Sequence, residues 1–508
     1  MSAILFGQSY FLRFDPKLHA AMRPYPPLGA LYAASYAHAR GHDVAVFDAM
    51  LADSEKEWGA ALALHQPRIA VLFEDHFNYL SKMCLLRMRD AAFTMMRAAK
   101  ARGCIVIVSG SDATDNLEKY FDNGADYILI GEGEVTLGEL LDQLYEIGNQ
   151  KTCPERSEGS EIENIRGLAF RNANGSITRT PPREYIRDLD ALPFPAWDLI
   201  DLEKYRRAWT ARHGYFSMNL VTTRGCPYHC NWCAKPIYGQ RYNARSPENV
   251  VAEIQMLKEK FGPDHLEFAD DIFGLQPNWV EKFAERVQAN NARVPFKCLA
   301  RADLLTEKFV AALARAGCQT VWMGAESGAQ KILDAMDKGQ RVEQIYAAAA
   351  RLHRAGIQVG FFLQFGYPGE TRADIEQTLQ MIRDCAPDDI GISVSYPLPG
   401  TKFYERVRAQ LGAKQNWNKS DDLAMLYRGT YTPEFYRALY RAVHHEFRAR
   451  RAARAFKHSF RLKHLLTLIS NALRLPFARW RMNWLERKSR LTKSRPPLET
   501  ITNYQSDH

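Results

Sequence analysis

Three cysteines fall within eight residues of this 508-residue chain, in the run Thr222-Thr-Arg-Gly-Cys-Pro-Tyr-His-Cys-Asn-Trp-Cys233. Cys226, Cys230 and Cys233 are spaced C-x3-C-x2-C and directly follow an apolar strand signal. Three thiolates on one tight loop can hold three corners of a cubane iron–sulfur cluster and leave one iron without a protein ligand. A structural zinc site is the alternative, but it needs a fourth ligand. His229 lies inside the loop, with little freedom to fold back. The other cysteines, at positions 84, 104, 153, 298, 318 and 385, read as unpaired core thiols. Nine cysteines, an odd number in a long chain, favour a reducing compartment and metal or catalytic use over a disulfide framework.

The elements that must position this loop follow from hydrophobic pattern. Residues 1–148 alternate strand and helix signals: Ala3–Gly7, Asp43–Asp48, Arg68–Phe73, Ile105–Ser109 and Tyr127–Ile130 are short β-branched or apolar runs with helical stretches between them. Such runs imply a five-stranded parallel, Rossmann-like sheet covered on both faces. Residues 149–205 break the rhythm, and their turn-rich start and proline-aromatic end suit an extended connector. Residues 206–405 alternate again in six βα units, predicting a partial (β/α)6 barrel with its chemistry at the strand C-termini. The helix from Pro247 has a Ser-Pro-Glu start signal. Residues 406–508 read as a helical C-terminal region.

The cysteine run, with Trp232 as the aromatic before the last cysteine, resembles the radical S-adenosylmethionine (radical SAM) superfamily. Strand-end motifs extend the match: Phe268-Ala-Asp-Asp-Ile-Phe273, Met323-Gly-Ala-Glu-Ser-Gly328, Gly366-Tyr-Pro-Gly-Glu-Thr371 and Tyr396-Pro-Leu-Pro-Gly-Thr401. With the five-stranded first domain, the series is similar to the branch carrying an N-terminal cobalamin-binding-like domain. The resemblance implies a [4Fe-4S] cluster on Cys226, Cys230 and Cys233, whose open iron is chelated by the methionine amine and carboxylate of SAM. Reductive cleavage then yields a 5′-deoxyadenosyl radical that attacks an unactivated C–H. It further implies that Asp270 and Asp271 contact the methionine amine, that Glu326 and Ser327 lie near the ribose, and that Gly366 and Gly369 shape a turn against the adenine. Arg301 is expected either to pair the SAM carboxylate or to make an ordinary salt bridge. The two acids at 270–271 can equally serve as helix caps.

Cobalamin domains of the familiar kind carry Asp-x-His-x-x-Gly. Here the second strand ends in Asp48-Ala-Met-Leu-Ala-Asp53, with no histidine to sit under cobalt. Cobalamin remains expected from the fold and from small residues at strand ends: Gly110 and Ser111 after the fourth strand, Gly131 and Gly133 after the fifth. His76, in the loop Glu74–Asn78, is a candidate cobalt neighbour or a satisfied loop histidine.

Charge is uneven. Between Phe447 and Arg495 stand fifteen Lys and Arg and one acid, Glu486, while the whole chain is only +9, so the body is mildly acidic. In the tail Leu462, Leu465, Leu466, Ile469 and Leu473 recur at helical spacing, with Lys463, His464, Ser470, Asn471 and Arg474 between them and Trp480 and Trp484 beyond. The helix can lie on an anionic leaflet or pack on the barrel with its basic face solvated. The apolar stripe argues against RNA, and no nucleic-acid partner is expected. A mean hydropathy of -0.36 and the lack of an 18-residue apolar run exclude a membrane span. The N-terminus lacks a basic n-region and is expected as a first strand, not a signal peptide. The expectation is a cytoplasmic enzyme, or one peripheral at the inner face of the membrane. It would be a cobalamin-dependent radical SAM methyltransferase acting on a small-molecule or lipid-like substrate, reduced by a donor such as flavodoxin or ferredoxin. Radical oxidation, cyclisation or rearrangement is the alternative reaction, and a non-catalytic iron–sulfur electron carrier the alternative class.

Overall fold

The computed structural model describes residues 4–77, 85–149, 161–412, 416–417, 423 and 425–493. Asn78, Cys84 and Cys153 lie outside the described residues. The first sheet holds β1 (Ile4–Gly7), β2 (Val44–Val46), β3 (Ile69–Phe73), β4 (Ile105–Ser109) and β5 (Tyr127–Leu129), all parallel. Two antiparallel strands, β6 (Leu168–Arg171) and β7 (Ile177–Arg179), extend it to the order β2-β1-β3-β4-β5-β6-β7. The period of two sorts side chains to the two faces. Leu5, Ala70 and Leu72 pack with Trp58 and Met95 on one side; Ile4, Phe6 and Val71 pack with Ala30 and Leu140 on the other.

The segment 149–205 thus differs from the expected connector, because part of it supplies β6 and β7. Its Leu-Ala-Phe run is fully buried against β5, and the turn at Asn172–Gly175 lets the chain reverse. A polar, turn-rich composition masked two strands of three and four residues.

The second sheet contains β8 (Ser217–Leu220), β11 (His265–Phe268), β12 (Phe296–Ala300), β13 (Cys318–Glu326), β14 (Gln358–Phe365) and β15 (Asp389–Val394), paired in that order and all parallel. A two-strand ribbon, β9 (Thr223–Arg224) with β10 (Asn243–Ala244), follows β8. Val321, Met323 and Ala325 point into the helical layer and are buried. The alternate residue Trp322 faces the lumen and stacks on Phe362 at 4.7 Å. Gly360 makes room for that indole, since a Cβ there would lie 2.3 Å from the ring. Local signals set the helix starts: Ser246 Oγ accepts from Asn249 N–H (3.0 Å) ahead of Pro247, and Thr371 caps Arg372–Cys385 with Asp374 in a reciprocal box.

The two sheets share one core that runs from Leu28 and Tyr32 into the barrel. Helix Leu202–His213 joins them. Its Trp209 Nε1 donates to Pro24 O (2.7 Å), and its Tyr205 hydroxyl donates to Asp48 Oδ2 (2.5 Å). Asp48, where the missing cobalamin motif would begin, is therefore spent on docking the barrel. The last described elements are a hairpin of helices, Pro433–Ser459 and Leu462–Lys493.

Candidate functional site at the barrel mouth

The cysteine loop leaves the C-terminal end of β8 and is anchored at two points. At its start, Asp270 after β11 is fully buried and accepts four hydrogen bonds: from the backbone N–H of Thr222 (2.7 Å) and Thr223 (2.7 Å) and from their hydroxyls (2.8 and 3.0 Å). Burial raises the Asp270 carboxyl to about 6 despite those donors. This side chain positions the start of the cysteine loop, the turn-capping alternative of its sequence reading. Asp271 is exposed, and its charge is felt at Cys226. Gly225 turns the chain at φ +80°, where a Cβ would meet Arg241 O at 2.4 Å, so only glycine fits.

In mid-loop, Asn231 is the second anchor. Its N–H donates to Met336 O (3.0 Å), its amide to Ala335 O (2.8 Å) and Asp337 Oδ2 (3.0 Å), while its Oδ1 accepts from the Tyr367 hydroxyl (2.8 Å). Trp232 packs beside it on a cluster containing Met336, Tyr367 and Phe403. All three loop cysteines are free thiols; Cys226 is buried, whereas Cys230 and Cys233 are half-buried. Cys230 and Cys233 border a cleft of about 310 Å³ with Lys235 and Lys402. His229 is exposed.

Around the mouth, Glu326 ends β13 in the left-handed region (φ +57°), at a register shift opposite β14. Such a conformation is costly for glutamate and clusters at functional sites. Its Oε1 accepts from Lys338 Nζ at 2.8 Å, and both side chains are buried. Gly324 leaves space for this pair, because a Cβ there would lie 2.7 Å from each partner atom. Ser327 faces the other way: its Oγ lies 3.2 Å from Thr378 Oγ1 and caps Ala329. Arg301 is buried over the Tyr228 ring (3.7 Å) and donates to Asp303 twice and to the carbonyls of Lys338 and Gly339. Four of its five N–H groups are used. It braces the cysteine loop rather than making a surface salt bridge.

Gly366 and Gly369 both have positive φ in the turn after β14. Gly366 N–H donates to Glu370 Oε2 (2.6 Å), its carbonyl accepts from the Tyr427 hydroxyl (2.6 Å), and the C-terminal region thereby covers the turn. Gly369 faces open space. Burial pushes the Glu370 carboxyl up to about 8.

Opposite the mouth lie the strand ends of the first sheet. Arg224, two residues before Cys226, reaches across to the end of β5 and donates to Glu132 Oε1 (3.3 Å) on the connecting loop and to Glu134 Oε1 (2.6 Å) in the first turn of the helix Gly133–Asn149. All three side chains are buried. Burial opposes the guanidinium charge, yet the two carboxylates hold its pKa above the usual value. Against the same burial, Arg224 keeps Glu134 low, whereas the more distant Glu132 is raised. Tyr238 lies 5.2 Å beneath Arg224 and stacks on Phe77. His76 is buried, with Nε2 3.4 Å from Ser109 Oγ and its ring 5.0 Å from Phe73.

Of the small residues, Gly131 (φ +81°) faces open space. Gly133 instead admits Phe73, 2.7 Å from its absent Cβ, so its smallness serves helix–sheet packing. Gly110 lies against Glu74, and buried Ser111 opens the short helix Ser111–Asp115. Sequence reading missed Asn231, Lys338 and the Arg224–Glu132–Glu134 triad. Asn231 sits inside the cysteine run and Glu132 and Glu134 beside the glycines after the fifth strand, but no spacing rule ties them to partners 90 or more residues away.

The donors fit an iron–sulfur cluster. Three free thiols share one braced loop, and the buried Trp232 Nε1 has no acceptor among the described residues. Among those residues no three His, Cys, Asp or Glu side chains are drawn together as around a single ion. A cubane needs no such convergence, because its thiolates bind separate irons. For cobalamin, Gly131 at the end of β5 faces open space and permits close approach of a ligand to the backbone.

Residues 220–382 match the family model described as the radical SAM superfamily. The chain is 28% identical to an uncharacterized methyltransferase of Pyrococcus horikoshii over 78% of this chain and 81% of that one. The structure of the radical SAM methyltransferase TsrM from Kitasatospora setae, with cobalamin and a [4Fe-4S] cluster bound, superposes with a TM-score of 0.64 at 20% identity, covering 81% of this chain and 75% of that one. The cobalamin-dependent SAM radical enzyme OxsB, with aqua-cobalamin and SAM bound, gives 0.66 at 16% identity over 97% and 74%. Residues 220–382 thus form a radical SAM domain, and the chain as a whole has the fold of the radical SAM branch that carries an N-terminal cobalamin-binding-like domain.

Proposed function

We propose that the protein is a cobalamin-dependent radical SAM methyltransferase that acts on an unactivated centre of a small-molecule or lipid-like substrate. The observation that carries this reading is the clamp between the two sheets. The residue that leads into the cysteine loop, Arg224, is held by two carboxylates beyond β5, Glu132 on the connecting loop and Glu134 in the first turn of the next helix. Cysteine loop and first-sheet strand ends therefore face one space, as a reaction using both cofactors requires. The matched relatives that carry methyltransferase names support it.

In this reading residues 1–148, with strands from 149–205, hold cobalamin; residues 206–405 hold the cluster and SAM; and Tyr427 of the C-terminal region covers the turn at Gly366. Cys226, Cys230 and Cys233 would hold the cluster, and Glu326 with Lys338 would present a fixed charge pair to SAM. When bound, the cluster supplies the electron that splits the SAM sulfonium, and cobalamin carries the methyl group. The protein's own part is to hold the loop rigid through Asp270 and Asn231 and to exclude water with Tyr427 and the turn at Gly366.

The test is anaerobic reconstitution with iron, sulfide and cobalamin, followed by product analysis with SAM. S-adenosylhomocysteine with 5′-deoxyadenosine supports a methyltransferase; 5′-deoxyadenosine alone supports an oxidative or cyclising enzyme. No SAM cleavage, with cleavage-independent iron–sulfur spectra, supports an electron carrier. Replacing the three loop cysteines by alanine is expected to remove the brown chromophore and SAM cleavage together.

A further inference from the structure

The terminal helix Leu462–Lys493 has two unlike faces. One carries Asn471, Ala478, Met482 and Leu485, all buried. It is tied down by Asn471 Oδ1 to His445 Nδ1 (2.9 Å), Arg372 Nη1 to Met482 Sδ (3.3 Å) and Arg479 Nη2 to Glu446 Oε2 (2.7 Å). This inner face is not the one the leucine spacing suggested.

The opposite face runs from Leu462 through Leu466, Ile469, Leu473, Phe477 and Trp480 to Trp484. Every one of these side chains is exposed, Leu473 by 75% and Trp480 by 62%. At about 100° per residue they fall within a sector roughly 80° wide, and at 1.5 Å per residue the stripe is about 33 Å long. Scattered surface apolar residues are normal; a continuous stripe of this length marks an interaction surface.

We propose that this stripe docks the enzyme on an anionic lipid surface, lying parallel to the leaflet. The charge pattern selects that occupant. Lys463, Arg474, Arg481 and Lys488 flank one edge of the stripe, and Arg461 and Arg487 the other; the helix's acid, Glu486, is directed inward to Arg372. A second copy would bring two cationic rims together, at a cost of like-charge repulsion. Anionic headgroups are attracted instead by these basic residues near the surface. Phe477 and Trp480 stack at 5.8 Å, and Lys488 lies over Trp484 at 5.5 Å, an aromatic end suited to the headgroup boundary. No helix of the described residues is long and apolar enough to cross a membrane, so the contact is peripheral. The proposal does not depend on the cofactor chemistry.

Flotation of the full chain, without reconstituted cofactors, with vesicles of phosphatidylglycerol in phosphatidylcholine tests it. Binding is expected to anionic vesicles, to weaken with added salt, and to fall more than about tenfold in L466E/L473E/W480E, since each lost apolar insertion is worth over a kcal/mol. These positions are exposed, so the thermal midpoint should not move. A second variant, K463Q/R474Q/R481Q, keeps the stripe and should lose the preference for anionic over neutral vesicles. Partition unaffected by both variants would overturn the proposal. So would a dimer in sedimentation that the glutamate substitutions dissolve, which would make a second copy the occupant.

Discussion

Removing the Arg224 side chain tests whether the two sheets are joined electrostatically at the cysteine loop. Arg224 is 2% exposed, Glu134 2% and Glu132 3%. Arg224→Met keeps the volume and leaves two buried carboxylates facing each other without a countercharge. Breaking a buried ion pair from one side costs about 3–5 kcal/mol, because the remaining charge stays desolvated. Glu134→Gln in the same chain should recover most of that, because the stronger of the two contacts (2.6 Å) is then neutral. Replacing a whole buried pair by neutral groups is often nearly free. The expected coupling is therefore about 2 kcal/mol or more, where independent sites would simply add. Urea unfolding of the apoprotein, followed by tryptophan fluorescence, reads both quantities. The R224M penalty should also shrink below about pH 5, where the unfolded carboxylates are themselves protonated. A penalty under about 1 kcal/mol, or one that E134Q leaves unchanged, would refute the reasoning.

Other outcomes follow from single side chains. Burial holds Glu370 protonated with a pKa raised from 4.5 to about 8. Its contribution is present below about pH 4.5 and is lost as pH rises through 8, at about 1.4 kcal/mol per unit. Glu370→Gln should flatten that slope in a thermal-midpoint series, and parallel curves would contradict the assignment. Asn231→Ala removes three side-chain hydrogen bonds that pin the cysteine loop. At about 1 kcal/mol each, it should lower stability by about 3 kcal/mol and reduce bound iron after reconstitution; full iron content would argue against a positioning role. Gly324→Ala puts a methyl 2.7 Å from Glu326 Oε1 and Lys338 Nζ. Parting that buried pair should weaken SAM binding to the folded, reconstituted protein by about tenfold and lower the melting midpoint as well. Unchanged binding would remove the pair from the SAM site.

Local chemistry was legible in the residues because it is short-ranged. The cysteine spacing lies on one loop, the five parallel strands and the six βα units announce themselves as apolar runs, and Ser246 and Thr371 cap their helices through neighbours three residues away. The segment 149–205 was harder to read, because β6 and β7 are held by pairing with β5, which a polar, turn-rich composition does not reveal.

Position along the chain determined which residues could do chemistry here; the packed fold decided which of them are buried in pairs and which stay open. Asp270 and Arg301 have suitable types at strand ends, yet the fold spends Asp270 on the start of the cysteine loop and Arg301 on Asp303, the carbonyls of Lys338 and Gly339 and the loop's Tyr228 ring. Arg224 and Lys338 lack any motif and acquire their roles from partners 90 and 12 residues away. The terminal helix makes the same point, since its leucine spacing fixed an apolar stripe but only packing left that stripe in water. The reason is physical: ligand geometry within a loop is set by chain connectivity, whereas burial, pairing and exposure depend on what the rest of the chain brings alongside.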